Sequence, residues 1–226
     1  MTHPWVIAHR GASGCLPEHT LPAYALAIEQ GADVIEPDLL PSADGRLYCR
    51  HDLYLSRSTD VATRPEYAAR RRPGPEGRED WWITDFTSAE LATLRATQPW
   101  PLRAHERDGV YRLPSFDQTL DLLLLERRRR ERPLLIYPEI KHPAHCEALG
   151  LDPTAALIRE LRARQLLGPQ APLLVQCFEA APLARVREQA GVRVTLLSVD
   201  LPALDAHAVD GYGVSKQALQ SADGAA

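Results

Sequence analysis

Four stretches of this chain place acids, bases and cations where an apolar run stops. His9 and Arg10 follow Val6-Ile7-Ala8, and Glu36 and Asp38 close the run that begins at Val34. His51 and Asp52 come shortly after Leu47-Tyr48-Cys49, and Glu139 and Lys141 come after Leu134-Leu135-Ile136. Glu36 and Asp38 are spaced i, i+2, as are Glu139 and Lys141, and in a strand such residues point to the same side. Three carboxylates meeting at one place repel one another and raise their pKa values. A hard cation relieves that repulsion, and an oxygen ligand set selects calcium or magnesium over zinc. Each residue taken singly reads as an ordinary surface or ion-paired side chain. Four successive strand ends carrying such residues make a shared site the better reading.

The elements that must position these residues alternate along the chain. "PWVIAH" reads as a strand and "TLPAYALAIEQG" as a helix stopped by Gly31. "ADVIEPDL" is a second strand, and "DGRLYCRHD" turns at Asp44-Gly45 into a third. Residues 52–112 break the rhythm with arginines and prolines and hold one helix start, where Thr87 and Glu90 fit a capping box. This stretch reads as an insertion on the scaffold. Ser115 and Asp152 are predicted N-caps, Pro153 suits a first turn, and Gly168 ends the second of these helices. Strands "PLLIYPEI", "PLLVQCF", "VRVTLLSV" and "AVDGYGV" complete the count at seven. Strands and helices alternating at this spacing argue for a parallel sheet, and the apolar runs suit strands buried on both faces. In an α/β barrel the carboxyl ends of the strands form the active face, and closure takes eight strands and about 250 residues.

Composition narrows the class. The 226 residues carry a net charge of −4 and are 45% apolar, enough for a real core. Nothing in that charge favours nucleic acid or an anionic membrane, and the arginine clusters at 70–72 and 127–130 read as solvated faces. No stretch nears the roughly 20 apolar residues of a membrane span, so no stable insertion is expected. No signal peptide precedes the first strand, so the chain as written is expected in the cytoplasm, or in the periplasm if an export signal was removed. Cys15, Cys49, Cys146 and Cys177 are scattered without a CxxC and read as free thiols.

The stretches "HRGASGCLPEHTLPA", "GADVIEPDL", "DGRLYCRHDLYLSRSTDVA", "YPEIKHP" and "VQCFEA" resemble, in order, the glycerophosphodiester phosphodiesterase family, most closely its longer bacterial branch, many of whose members are periplasmic and use calcium. The resemblance implies a (β/α)8 barrel and metal-dependent hydrolysis of a glycerophosphodiester to glycerol 3-phosphate and an alcohol. It implies that Glu36, Asp38 and Glu139 hold the cation, calcium or magnesium. It further implies that His9 and His51 are the acid–base pair and that Arg10 and Lys141 contact the phosphate. In the family the nucleophile is often the glycerol 2-hydroxyl. Imidazole, with an ordinary pKa of about 6.5, suits proton transfer near neutrality. Gly11 reads equally as close approach to the phosphate or as a plain turn. His19 reads as structural. Asp52 either orients His51 or forms a turn, and Gln176 and Phe178 read as core packing before pocket lining.

The resemblance thins after Leu197. "VDGYGVSK" is similar to the family's seventh-strand motif, and an eighth strand and its helix have no counterpart. Residues 1–226 are therefore expected to form one phosphodiesterase barrel, incomplete at about seven strands, whose open edges invite self-association. Two other readings stay open: a non-catalytic remnant, and a lysophospholipase D-type enzyme whose apolar groove would draw on Trp81 and Trp82.

Overall fold

The computed structural model describes residues 4–74, 77, 79–200 and 209–223. Strand β1, Ile7–His9, ends in a tight loop from which Thr20 caps helix α1, Leu21–Glu29, its hydroxyl accepting from the Ala23 amide. Ala23, Tyr24, Ala27 and Ile28 face the core at helical spacing. The next strand is cut in two by Pro37, as β2, Val34–Glu36, and β3, Asp38–Pro41. It turns at Asp44-Gly45 into β4, Leu47–Cys49.

Residues 52–112 form a body of short pieces. These include a two-stranded ribbon, β5 (Arg72–Pro73) with β6 (Glu79–Asp80), and α2, Ser88–Leu91, with the expected capping box of Thr87 and Glu90. Leu55, Val61, Trp82, Ile83, Phe86 and Leu91 build a core there that joins the barrel through Leu40 and Tyr48 of the hairpin. Trp81 and Trp82 are buried in this core, so they offer no groove for an acyl chain.

Helix α3, Phe116–Arg129, follows, with Ser115 as its N-cap residue and the Ser115 N–H donating to Gln118 Oε1 at 3.1 Å. The next strand is again split by a proline, as β7, Leu135–Ile136, and β8, Glu139–Ile140. Then come α4 (Pro143–Ala148), α5 (Pro153–Ala163), β9 (Leu174–Cys177), α6 (Ala180–Ala190), β10 (Arg193–Ser198), β11 (Gly211–Val214) and α7 (Lys216–Asp223). Asp152 caps α5 as expected, but the helix stops at Ala163 rather than near Gly168, because Gln165 takes the left-handed conformation first.

Proline has no N–H, so it interrupts a ladder. Here the pairing runs through both interruptions. Tyr137 N–H donates to Ile35, Glu139 N–H to Pro37 and Lys141 N–H to Leu39, so β2–β3 and β7–β8 behave as two continuous parallel strands. The sheet then runs β1, β2–β3, β7–β8, β9, β10, β11, six strands in parallel among the described residues. This is an α/β barrel wall, and no hydrogen-bonded pairing between β1 and β11 closes it among the described residues.

The third expected strand departs from the parallel pattern. β4 runs antiparallel to β3, with Leu39 opposite Cys49. Alternation of apolar residues does not encode strand direction; the tight turn through Ala43-Asp44-Gly45, closed by Gly45 N–H to the Ser42 carbonyl, does, since only antiparallel strands can be joined so tightly. The hairpin carries the chain past the barrel rim and back, and Arg50 N–H reaches the carbonyl of Asp38.

Candidate active site

Strand register assembles the site. His9 lies opposite Glu36, and Asp38, Glu139 and Gln176 lie side by side across three strands. The returning hairpin delivers His51 to the same level. His9, Arg10, Glu36, His51, Glu139 and Lys141 line one cleft of about 430 Å³, together with Tyr137, Gln176 and Phe178. Asp38 is fully buried amid this cluster. All seven residues expected from the sequence therefore meet at one end of the barrel wall.

The carboxylates differ in how they are held. Glu36 accepts from Gln176 Nε2 at 2.8 Å and from the Arg10 amide at 3.3 Å. Burial, with Asp38 and Glu139 nearby, drives its pKa well above the ordinary range. Glu139 takes Lys141 Nζ at 2.8 Å, yet burial and the Asp38 charge still push it up to about 7. Asp38 goes the other way. Burial opposes its charge, but His19 at 2.9 Å, together with Lys141 and His51, holds it far below the ordinary value. Its Oδ1 is buried with no hydrogen-bond partner.

The cations are already engaged. Arg10 holds the left-handed backbone conformation, φ 62°, which is costly for a residue with a side chain. Its guanidinium meets Glu18 at 3.2 Å, and its Nε lies 3.3 Å from Asp38. Lys141 Nζ lies 3.9 Å from Asp38 Oδ1. Four buried carboxylates (Glu18, Glu36, Asp38 and Glu139) therefore face two fixed cations.

Two histidines reach the cleft. His9 is lowered by partial burial and then by Arg10, which keeps it neutral near pH 7. His51 Nδ1 lies 2.6 Å from Asp52 Oδ1, and that carboxylate is held at about 2: its bond to His51 and the charges of His51, Arg57 and Arg50 outweigh burial. Asp52 thus orients His51. Gly11 takes φ 81° in the turn, as the turn-glycine reading expects, and a Cβ there would also sit 2.8 Å from the Ala23 backbone, so only glycine lets the loop lie on α1.

Three members were not legible as such. Glu18 clamps Arg10, Gln176 clamps Glu36 rather than packing the core, and His19 bonds Asp38. Gln176 carried a signal, its place at a strand end. Glu18 and His19 lie in an irregular loop, where no periodicity assigns a direction.

The donor set suits a divalent cation. His9, Glu36 and Asp38 offer ligand atoms within 4.8 Å of one another, and the buried Oδ1 of Asp38 lacks a donor. Glu139 lies beside Asp38 in register and shares their charge environment.

The model of the glycerophosphoryl diester phosphodiesterase family matches residues 9–225. A glycerophosphodiester phosphodiesterase of Arabidopsis thaliana is 43% identical over 145 residues, 63% of this chain and 38% of that protein. One from Haemophilus influenzae is 31% identical over 195 residues, 81% of this chain and 52% of that protein. The chain thus spans less than two thirds of the length of these curated relatives. Among solved structures, an Oleispira antarctica phosphodiesterase in complex with the product sn-glycerol-3-phosphate shares the fold at a TM-score of 0.70 and 24% identity, covering 98% of this chain and 81% of that one.

Proposed function

The chain belongs to the glycerophosphoryl diester phosphodiesterase family, and we propose that its cleft hydrolyses glycerophosphodiesters to glycerol 3-phosphate and an alcohol with the help of a divalent cation. The observation that carries this reading is the convergence of two histidines, three carboxylates, an arginine and a lysine at one end of the barrel wall. The product bound by the Oleispira antarctica phosphodiesterase of the same fold is in keeping with it.

Glu36, Asp38 and Glu139 would hold the cation, with His9 at their edge. When bound, it supplies positive charge to stabilise the developing phosphoryl charge and to acidify the attacking group. With all four carboxylates ionised their charge would exceed that of Arg10 and Lys141 by two, which a calcium or magnesium ion would match, and carboxylate oxygen donors favour these hard ions. Arg10 is clamped by Glu18 and so is pre-aimed at the phosphate, losing little freedom when substrate arrives. Lys141 lines the same wall and adds charge where it accumulates in the transition state. His9, kept neutral, accepts a proton from the nucleophile. His51, oriented by its bond to Asp52, donates one to the leaving alkoxide.

A panel of glycerophosphocholine, glycerophosphoethanolamine and the corresponding lysophospholipids, each with calcium, magnesium or EDTA, tests the proposal. Release of glycerol 3-phosphate from the soluble diesters is expected. Turnover of lysophospholipids alone points to the lysophospholipase D-type reading. A folded chain that turns over neither is a remnant.

A further inference from the structure

We infer that Tyr24 and His19 are positioning residues that fix the Asp38 carboxylate for the divalent cation, an inference that rests on the cation reading above. Three side chains form a line from the core to the cleft. The Tyr24 hydroxyl lies 2.7 Å from His19 Nδ1, and His19 Nε2 lies 2.9 Å from Asp38 Oδ2. Tyr24 and Asp38 are fully buried, and His19 is 3% exposed.

The proton positions follow from what each group can do. An aspartate carboxylate only accepts, so Nε2 carries the hydrogen. In a neutral ring the other nitrogen then lacks one, and Nδ1 must accept. The neighbour placed to donate to it is the Tyr24 hydroxyl. Asp38 therefore selects the tautomer, and the Tyr24 hydroxyl, donating to Nδ1, holds the ring in the orientation that makes the bond to Asp38. With Oδ2 tied down, the second oxygen has a fixed direction, and that oxygen is the buried Oδ1 without a hydrogen-bond partner. A carboxylate buried this deeply, with one oxygen held and the other without a hydrogen bond and only Lys141 Nζ 3.9 Å away, is oriented for a further partner.

The backbone is bent to make the line. His19 takes φ 54°, a left-handed conformation that costs energy for a residue with a Cβ. It is held there by the bond from its own N–H to the Arg10 carbonyl, at 3.1 Å. The same turn places Thr20 as the cap of α1, the helix that presents Tyr24 one turn in. The sequence "HTLPAY" thus delivers both members of the pair from one loop-to-helix junction.

Calorimetric titration of the whole chain with calcium chloride and with magnesium chloride tests this, using wild type, Tyr24→Phe, His19→Leu and His19→Gln. Partners that orient a metal ligand contribute roughly 10–100-fold in affinity. Tyr24→Phe is expected to weaken cation binding about tenfold, and His19→Leu more than that. His19→Gln, whose amide can still donate to Asp38, recovers most of the loss. The circular dichroism spectrum of Tyr24→Phe without cation stays like wild type. A role confined to holding the loop would lower the melting temperature and leave cation affinity alone. Wild-type affinity in both Tyr24→Phe and His19→Leu overturns the inference. If His19→Leu does not fold, Tyr24→Phe, which removes a single oxygen, decides. A wild-type chain that binds neither ion overturns the cation reading first and this inference with it, whereas binding by wild type that both variants retain removes the inference alone.

Discussion

The cleft and the body formed by residues 52–112 are both rich in charge, and they treat it in opposite ways. In that body Arg70 and Arg72 each meet an acid and an aromatic face. Arg70 pairs with Glu90 at 2.5 Å and lies 4.1 Å over Phe86; Arg72 pairs with Asp85 at 2.6 Å and lies 4.1 Å over Trp82. Half-exposed and locally balanced, these groups need nothing further. In the cleft the carboxylates are buried and outnumber Arg10 and Lys141: burial and the Asp38 charge push Glu36 and Glu139 up, while His19, Lys141 and His51 hold Asp38 down against its own burial. Charge balanced where it stands holds a surface together. Charge buried out of balance marks the place where a ligand completes the structure.

The largest effects should come from the proton-transfer residues. His51→Ala and His9→Ala are each expected to lower kcat/KM for a glycerophosphodiester by about 10²–10⁴-fold with an unchanged circular dichroism spectrum. Activity within twofold of wild type in either variant would remove that histidine from the mechanism. Asp52→Asn should cost less, about a hundredfold, because His51 stays but loses its orientation. The loss should fall in kcat rather than KM, which steady-state kinetics resolves.

A third prediction concerns stability without cation. The folded pKa of Glu139 is raised to about 7, so the folded state binds its proton more tightly than the unfolded chain does. That contribution to stability is present below the ordinary carboxylate pKa and is lost as pH rises through 7. In EDTA, Glu139→Gln should therefore melt higher than wild type at pH 8, by about 2–4 °C for each kcal/mol regained, and the gap should close at pH 5. Calcium should reverse the order at pH 8 by stabilising wild type alone. A wild type that melts higher than the variant in EDTA at pH 8 would contradict the charge imbalance.

The smallest effect belongs to the body formed by residues 52–112. Arg72→Ala removes a half-exposed ion pair and a stacked guanidinium, together on the order of 1 kcal/mol, and should lower Tm by about 2–4 °C. Turnover should not change. A tenfold fall in activity would show that the contrast between the two regions is drawn too sharply.

Much of this was legible in the sequence for physical reasons. Caps carry their own chemistry, so Ser115, Asp152 and the Thr87–Glu90 box marked helix starts correctly. The two-residue period of a strand put Glu36 with Asp38 and Glu139 with Lys141 on one side, and parallel register brought the pairs together. What stayed hidden depends on direction or on irregular backbone. The apolar pattern of Leu47–Cys49 is the same in a parallel or an antiparallel strand. The partnership of His19 with Asp38 needs a left-handed turn at His19, which no periodicity announces. The short helix at Pro143–Ala148 follows another left-handed residue, His142, and was missed for the same reason.

On the proposed function, the unbalanced carboxylates of the cleft serve phosphodiester hydrolysis by holding a divalent cation. The most direct test measures glycerol 3-phosphate released from glycerophosphocholine by wild type and by the triple variant Glu36→Gln, Asp38→Asn, Glu139→Gln. Wild type should release it with calcium or magnesium, stop in EDTA and recover when the ion returns, while the folded triple variant stays inert. Release that persists in EDTA, or that the triple variant matches, would contradict the account.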